Sequence, residues 1–343
     1  MTAALNELNR GTYIEPTSMT VEQWLHIWFD EYACNSIKLS TKGSYDLYIN
    51  KHIVPAIGNI KLSSLRPEMI QKLYNEKSEN GRLDGKGGLN PKYIKNIHNM
   101  LHEALEQAVT NGIISLNATK ATVLPKQTKK EMRVLSADEQ KGLLSVISTE
   151  RHGLIITLAL ATGMRLGELL GLQWKDIDFN KRSLSISRTV NRLKNFDDTI
   201  ESKTSLVTSD PKTKSSIRLI PINDNILHEL TLLNKAQKSE RLSIGANYEN
   251  QDFIFATQVG KPLDPRYVQD VFKRLIKKAD INDANFHCLR RTFATRALEA
   301  NVPAKIVSEI LGHSSVGITL DLYSHVSLDT KRDAIEKISS FLQ

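Results

Sequence analysis

The chain is poor in cysteine: Cys34 and Cys288 are the only two in 343 residues. They cannot build a disulfide framework or a paired-cysteine metal knuckle, so a reducing compartment, the cytoplasm, is expected. Long apolar runs are missing as well. The longest, Leu154 to Gly163, falls far short of the ~18 residues a membrane span needs, so no membrane partner is expected. The opening MTAALNELNRGTYIEP has no apolar stretch of the kind a secretory signal carries. Signatures of nucleotide binding and of serine hydrolases are absent too. There is no GxGxxG and no GxSxG, and GRLDGKGG lacks both the spacing of a phosphate loop and a preceding strand, so it reads as a solvated turn. His102-Glu103 has no second histidine at i+4, and His287, Cys288, His313 and His325 follow no zinc-ligand spacing. No metal or cofactor is therefore expected.

What is present is an ordinary globular composition with a basic excess. Hydrophobic residues make up 40% and charged residues 24%, which excludes a disordered or fibrous chain. The length suits two domains. A net charge of +8 attracts polyanions, nucleic acid or anionic lipid, without choosing between them.

Periodicity divides the chain. After a lead over 1–17, helical patterns fill 18–120. Val21, Trp24, Leu25, Trp28 and Phe29 share one face, a second stretch runs from Thr41 to Ile53 and should stop at Pro55 and Gly58, and a third starts at Pro67. The clearest, Pro91 to Asn111, carries Ile94, Ile97, Leu101, Ala104, Leu105, Ala108 and Val109 on one stripe, with Lys92, Lys95, His98 and His102 off it. Residues 121–135 lose the period and hold Lys126, Lys129, Lys130 and Arg133, a basic linker. Ser136 and Glu139 form a capping box that opens a second domain over 136–343. There the pattern is helical except where Leu184, Ile186 and Arg188, and later Ile217, Leu219 and Pro221, alternate as strands around SDPKTKSS. The expected fold class is mainly α with a small antiparallel β-sheet.

Five features of the second half fit phosphoryl transfer. ATGMRLGELLGLQW puts Arg165 at a helix start with Glu168 beside it, and PKTKSSIRLIPI puts Lys212 and Lys214 at the tip of a β-hairpin. FHCLRRTFATRAL places His287 and Arg290 on one helix face. ILGHSSVGIT presents His313 after Gly312, and TLDLYSHV brings Tyr323 ten residues later. Taken singly, each is ordinary: an arginine on a helix is usually exposed, one His-x-x-Arg pair among nine histidines is weak, and a lone tyrosine is usually packing. Their order carries the weight.

In that order the motifs are those of a known family. From about Thr20 to its end the chain resembles the tyrosine recombinases, and within them the integrases of phages and conjugative transposons of Gram-positive bacteria; HEALEQAVTNGII is similar to the family's core-binding domain. Three departures stand out. Arg291 occupies a position where the family often has His. Asn117-Ala118 replaces the usual Asn-Pro. An arm-binding domain of about 60 residues, common in the family, is reduced here to a lead, as in a truncated or a naturally short integrase.

The resemblance implies a helical core-DNA-binding domain, a mixed α+β catalytic domain and a chemistry. Tyr323 attacks a DNA phosphorus and forms a 3′-phosphotyrosyl intermediate, so bond energy is retained and neither ATP nor metal is needed. Arg165 and Arg290 offer permanently charged forks to the phosphate, with His313 as a further donor and His287 as base or hydrogen-bond partner. Lys212, or failing it Lys214, protonates the leaving oxygen, and Glu168 orients Arg165. Lys42, Lys51, Lys92, Lys95, Lys126, Lys129, Lys130 and Arg133 are candidates for phosphate contacts along the duplex; for each the plainer reading is a solvated face. Implied partners are double-stranded DNA attachment sites, a homo-tetramer in the synaptic complex and an excisionase. Ala334, Ile335, Ile338, Phe341 and Leu342 recur at helical spacing, a stripe that would pack on its own domain or, as the resemblance implies, dock on a neighbouring protomer in the synaptic complex. The competing readings are a type IB-like topoisomerase, a non-catalytic DNA-binding regulator on the same fold and, weakest, a metal-dependent nuclease.

Overall fold

The computed structural model describes residues 17–128, 132–148, 150–197, 199, 201–209, 217–322 and 339. Lys129, Lys130, Lys212, Lys214, Tyr323 and the apolar positions of the terminal segment lie outside them. Two compact units emerge, Met1–Lys130 with Phe196–Asp198, and Glu131–Asn195 with Thr199–Gln343.

The first unit is helical. α1 (Val21–Ile27) opens at Thr20, whose hydroxyl accepts from the Gln23 amide at 3.2 Å while the Gln23 side chain accepts from the Thr20 amide at 3.0 Å. It passes into a π-helical stretch, Trp28–Ala33. α2 (Leu39–Leu47) likewise widens into a π-helical stretch over Tyr48–Ile53 and runs on into α3 (Val54–Ile57). The expected stop at Pro55 is therefore displaced to Gly58. Pro55 sits at the start of α3, directly after the π-helical stretch, and the helical run continues through it. α4 (Pro67–Asn80) and α5 (Pro91–Thr110) complete the unit, and the α5 stripe is buried from Ile94 to Ala108. The Trp24 indole donates to the Ala104 carbonyl at 2.8 Å, pinning α1 to α5. Beyond α5, Asn117 is buried and donates to the His102 carbonyl (3.0 Å) and Glu106 (2.8 Å), and Leu124 still packs against this core.

Histidines run through this core's polar seam. His98 meets the Tyr74 hydroxyl at 3.1 Å and stacks on His102, and His52 is buried against Tyr93. Burial, with His102 and Lys95 next in weight, lowers the His98 pKa; burial and then Lys77 lower that of His52. A histidine whose folded pKa is depressed contributes stability above its unfolded pKa, ~6.5, and loses it as pH falls through and below that value. Calorimetric unfolding of the full chain should therefore show a lower Tm for this unit at pH 5.5 than at pH 7.5. The drop should shrink in the His52→Gln/His98→Gln double variant; an equal drop in both proteins would contradict the assignment.

The second unit begins with α6 (Ala137–Ile147), closed by the expected Ser136–Glu139 capping box, and α7 (Gly153–Thr162), buried on nearly every side. Gly163 ends α7 at φ 65°, and a Cβ there would meet Leu311 Cδ2 at 2.4 Å and Phe293 Cδ1 at 2.6 Å. Only glycine makes this turn at this packing distance. α8 (Leu166–Gly171) follows at once.

Two small antiparallel sheets come next, where the sequence suggested one. β1 (Ile177–Asp178), β2 (Ser183–Ile186) and β5 (Arg218–Pro221) form the first, in the order β1-β2-β5; β3 (Thr189–Lys194) and β4 (Thr204–Ser209) form a separate hairpin. The hairpin escapes a period-two reading because Asn191, Arg192 and Ser205 break its apolar alternation. The facing of β5 is also reversed. Register pairs Leu184 with Ile220 and Ile186 with Arg218, so Ile220 is buried and Arg218 points inward, while Ile217 and Leu219 are exposed. Helices α9 (Asp224–Ile244), α10 (Pro265–Lys278), α11 (His287–Glu299), α12 (Ala304–Leu311) and α13 (Val316–Leu322) close the unit. α11 lies against α7 and α12, and no described helix is long and apolar enough to cross a membrane.

Candidate active site

A helix leaves its last carbonyls without intrahelical partners. In α12 the carbonyls of Ser308 and Glu309 are taken by the amides of His313 and Gly312. The next three go to arginines from three different elements. Arg218 of β5 donates Nε to the Ile310 carbonyl (2.5 Å), Arg290 of α11 donates Nη2 to Leu311 (2.8 Å), and Arg165, just before α8, donates Nη2 to Gly312 (3.4 Å). The negative end of the helix dipole thus faces three guanidiniums, a favourable pairing. Arg290 also donates Nη1 to the Gly163 carbonyl at 2.9 Å, so the glycine turn and the α12 terminus hold its fork from two sides.

One carboxylate balances this group. Glu168 is 1% exposed and accepts from the Arg165 amide (3.0 Å) and Arg165 Nη1 (2.7 Å), and from Arg218 Nη2 (2.9 Å) and Nη1 (3.3 Å). Burial opposes its charge, but the hydrogen bond and charge of Arg218, then the Arg165 amide and charge, hold its pKa below the usual range. Among the described residues, three guanidiniums meet one carboxylate here, an excess of two positive charges. Burial first, and then the charge of Arg165, pulls Arg290 down to about 9, so it remains charged at neutral pH.

The two histidines stand in this field. His287 opens α11, one helical turn before Arg290 and on its face. His313 follows Gly312, and its Nδ1 lies 2.8 Å from Thr319 Oγ1 of α13. Both have their pKa lowered to about 4, by burial first and then by Arg290, with Arg165 contributing to each. At neutral pH both rings are neutral, and each can accept at one nitrogen and donate from the other.

The structure therefore brings Arg165, Glu168, His287, Arg290 and His313 together. Lys212, Lys214 and Tyr323 lie outside the described residues, although β4 and β5, which flank the lysine segment, belong to different sheets rather than to one hairpin. Of the basic candidates, Lys51, Lys92, Lys95 and Lys126 are exposed and Lys42 is half-buried. Tyr48 and His52 both meet the Tyr93 ring, which sets the helical segments bearing Lys42, Lys51, Lys92 and Lys95 against each other. Arg133 is half-buried, and its guanidinium is engaged by Glu139 and the Val134 carbonyl at the start of the second unit. Among the described residues no group of three or more His, Cys, Asp or Glu could hold a metal ion. Arg218 belongs to the site as well, and nothing in IRLIPI marks it: the alternation there points Ile217 and Leu219 inward, and only the register with β2 turns Arg218 in.

Comparisons with known proteins agree on the class. Residues 133–329 match the phage integrase family, and residues 20–78 match the phage integrase N-terminal SAM-like domain. A protein of Caldanaerobacter subterraneus named tyrosine recombinase XerC-like is 30% identical over 98% of this chain and 86% of its own length. The ICEBs1 integrase of Bacillus subtilis is 27% identical over 74% of this chain and 67% of its own. Among solved structures, a fragment of the Tn1549 transposon integrase in complex with a circular intermediate DNA superimposes with a TM-score of 0.74 at 24% identity, covering 94% of this chain and all of that one. The phage lambda integrase, as a tetramer bound to a Holliday junction, gives 0.63 at 22% over 93% of this chain and 84% of that one. The chain belongs to the phage integrase family, and it is a tyrosine recombinase.

Arg218 and Arg165 share Glu168 but not its burial: their side chains are 7% and 40% exposed. Removing one partner of a buried ion pair costs about 3–5 kcal/mol, whereas an exposed partner contributes about 0–1 kcal/mol. Chemical denaturation should accordingly show Arg218→Met destabilising the second unit by at least ~3 kcal/mol and Arg165→Ala by under ~1 kcal/mol. Equal losses would show that Arg218 is not the group that holds Glu168.

Proposed function

We propose that this recombinase cuts and rejoins DNA through Tyr323, integrating and excising a mobile element at specific sites. The observation that carries the reading is the pair of uncompensated positive charges beside two neutral histidines, a site shaped for one phosphodiester. In the proposed step the Tyr323 oxygen bonds to phosphorus and the bond from phosphorus to the 5′-oxygen breaks, giving a 3′-phosphotyrosyl link and a 5′-hydroxyl. His287 accepts the tyrosine proton, and Lys212, or Lys214 in its place, supplies a proton to the leaving oxygen. Arg165, Arg290 and the His313 ring hold the non-bridging oxygens, on which negative charge builds. A fixed donor of this kind accelerates a reaction about 10²–10³-fold. The phosphate's own charge offsets that of the arginines and raises both histidine pKa values, so His287 becomes a stronger base once DNA is bound. The reverse attack by a 5′-hydroxyl rejoins the strand with no external energy source.

In this reading residues 18–120 form a core-DNA-binding domain, with Lys42, Lys51, Lys92 and Lys95 on the duplex backbone, and residues 121–135 link it to the catalytic domain over 136–343. Exchange between two duplexes calls for four strand cleavages and hence a homo-tetramer, the state in which lambda integrase is seen on a Holliday junction. An excisionase partner would bias direction, and the work place is the cytoplasm at the nucleoid.

Covalent trapping tests the reading. DNA from either end of the element carrying this gene, nicked near the crossover and incubated in excess EDTA, should give an SDS-resistant protein–DNA band. Tyr323→Phe should abolish that band and leave DNA binding intact. Binding without any band would favour a non-catalytic regulator. A band accompanied by relaxation of supercoils but no joining of paired sites would place the protein with the topoisomerases.

A further inference from the structure

We propose that Thr319 is a positioning residue for His313: its hydroxyl donates to Nδ1, fixes the ring as the Nε2–H tautomer and ties it to the helix that leads to Tyr323. The inference rests on the function proposed above. Thr319 is fully buried, an unusual place for a threonine unless its hydroxyl has a partner. His313 Nδ1, at 2.8 Å, is that partner. The tautomer of a neutral imidazole is set by the hydrogen bond that its other nitrogen makes. Two arrangements satisfy the distance. If Nδ1–H donated to Thr319, Nε2 would carry a lone pair into the site and repel a phosphate oxygen. If Thr319 donates, Nε2–H becomes a donor toward the phosphate, as the site requires.

The contact also joins two elements that pack side by side across a short turn. His313 is held by its backbone amide on the Ser308 carbonyl, at the end of α12. α13 starts at Val316, where the Ser315 hydroxyl accepts from the Gly317 amide at 3.1 Å. Thr319 lies in α13, which ends at Leu322, and four residues before Tyr323 in the sequence. One hydroxyl therefore couples the orientation of a phosphate ligand to the register of α13.

The test uses the full chain with Thr319→Val, which keeps the shape and removes the hydroxyl, and Thr319→Ser, which keeps the hydroxyl. ¹⁵N NMR of the His313 ring without DNA should show the Nε2–H tautomer in the wild type and in Thr319→Ser, and a mixture in Thr319→Val. In single-turnover cleavage, Thr319→Val should slow formation of the covalent complex about 10- to 100-fold, by analogy with the loss of the outer hydrogen-bond partner of a metal-ligating histidine. DNA affinity should be unchanged, and Thr319→Ser should restore most of the rate. An Nδ1–H tautomer in the wild type, or a serine variant as slow as the valine one, would overturn the proposal. Should the wild type itself form no covalent complex, the recombinase reading fails, while the NMR result still decides the tautomer.

Discussion

The end of α12 is the constraint on which the rest of the site depends. A helix that stops inside a protein must find partners for its final carbonyls, and here Ile310, Leu311 and Gly312 find Arg218, Arg290 and Arg165. These arginines come from a strand, a helix and a turn far apart in the chain, so the carbonyls act as a jig that sets three guanidiniums beside His313. Their mutual repulsion is tolerable because Glu168 sits among them and because the helix terminus is itself electronegative. The surplus that remains is an unmet demand for an anion. Among the described residues, Glu168 is shared by Arg218 and Arg165, and the positive charge left over is what the proposed phosphate contact would use.

Backbone geometry serves the same end. Gly163 turns the chain at positive φ, so that Met164 and Arg165 follow α7 without a loop, and its carbonyl then receives Arg290. Gly312 turns at φ 64° and places His313 beside the arginines rather than on the next helical turn. Neither glycine touches substrate in the proposed reaction, yet each decides where a side chain that does can stand.

Much of this was legible before any coordinates. Arg165, His287, Arg290 and His313 could be picked out because their neighbours record the backbone they need: a glycine turn before the first, a shared helix face for the second and third, a helix-ending glycine before the last. The buried helix faces of the first unit were equally plain, since Trp24, Leu25, Ile94, Ile97 and Leu101 recur at helical spacing. What escaped was set by tertiary context. Arg218 looks like one more basic residue in IRLIPI until the register with β2 turns Ile217 and Leu219 outward. The β3–β4 hairpin has too few apolar positions to announce its strands. Pro55 reads as a helix stop, and becomes a helix start only because a π-helical stretch precedes it. Arg133 reads as one more basic linker residue, and only the structure pairs it with Glu139.

The central claim is that Arg165 and Arg290 hold their charge for a phosphodiester, and a change of substrate charge tests it most directly. Cleavage should be compared on two otherwise identical DNA substrates, one with a normal scissile phosphate and one with a neutral methylphosphonate there, using the wild type and Arg290→Ala. If the arginine's role is to balance the phosphate charge, Arg290→Ala should lose most of its activity on the phosphate and recover much of it on the neutral analogue. An equal loss on both substrates would contradict the account and leave Arg290 as a structural tie between Gly163 and Leu311.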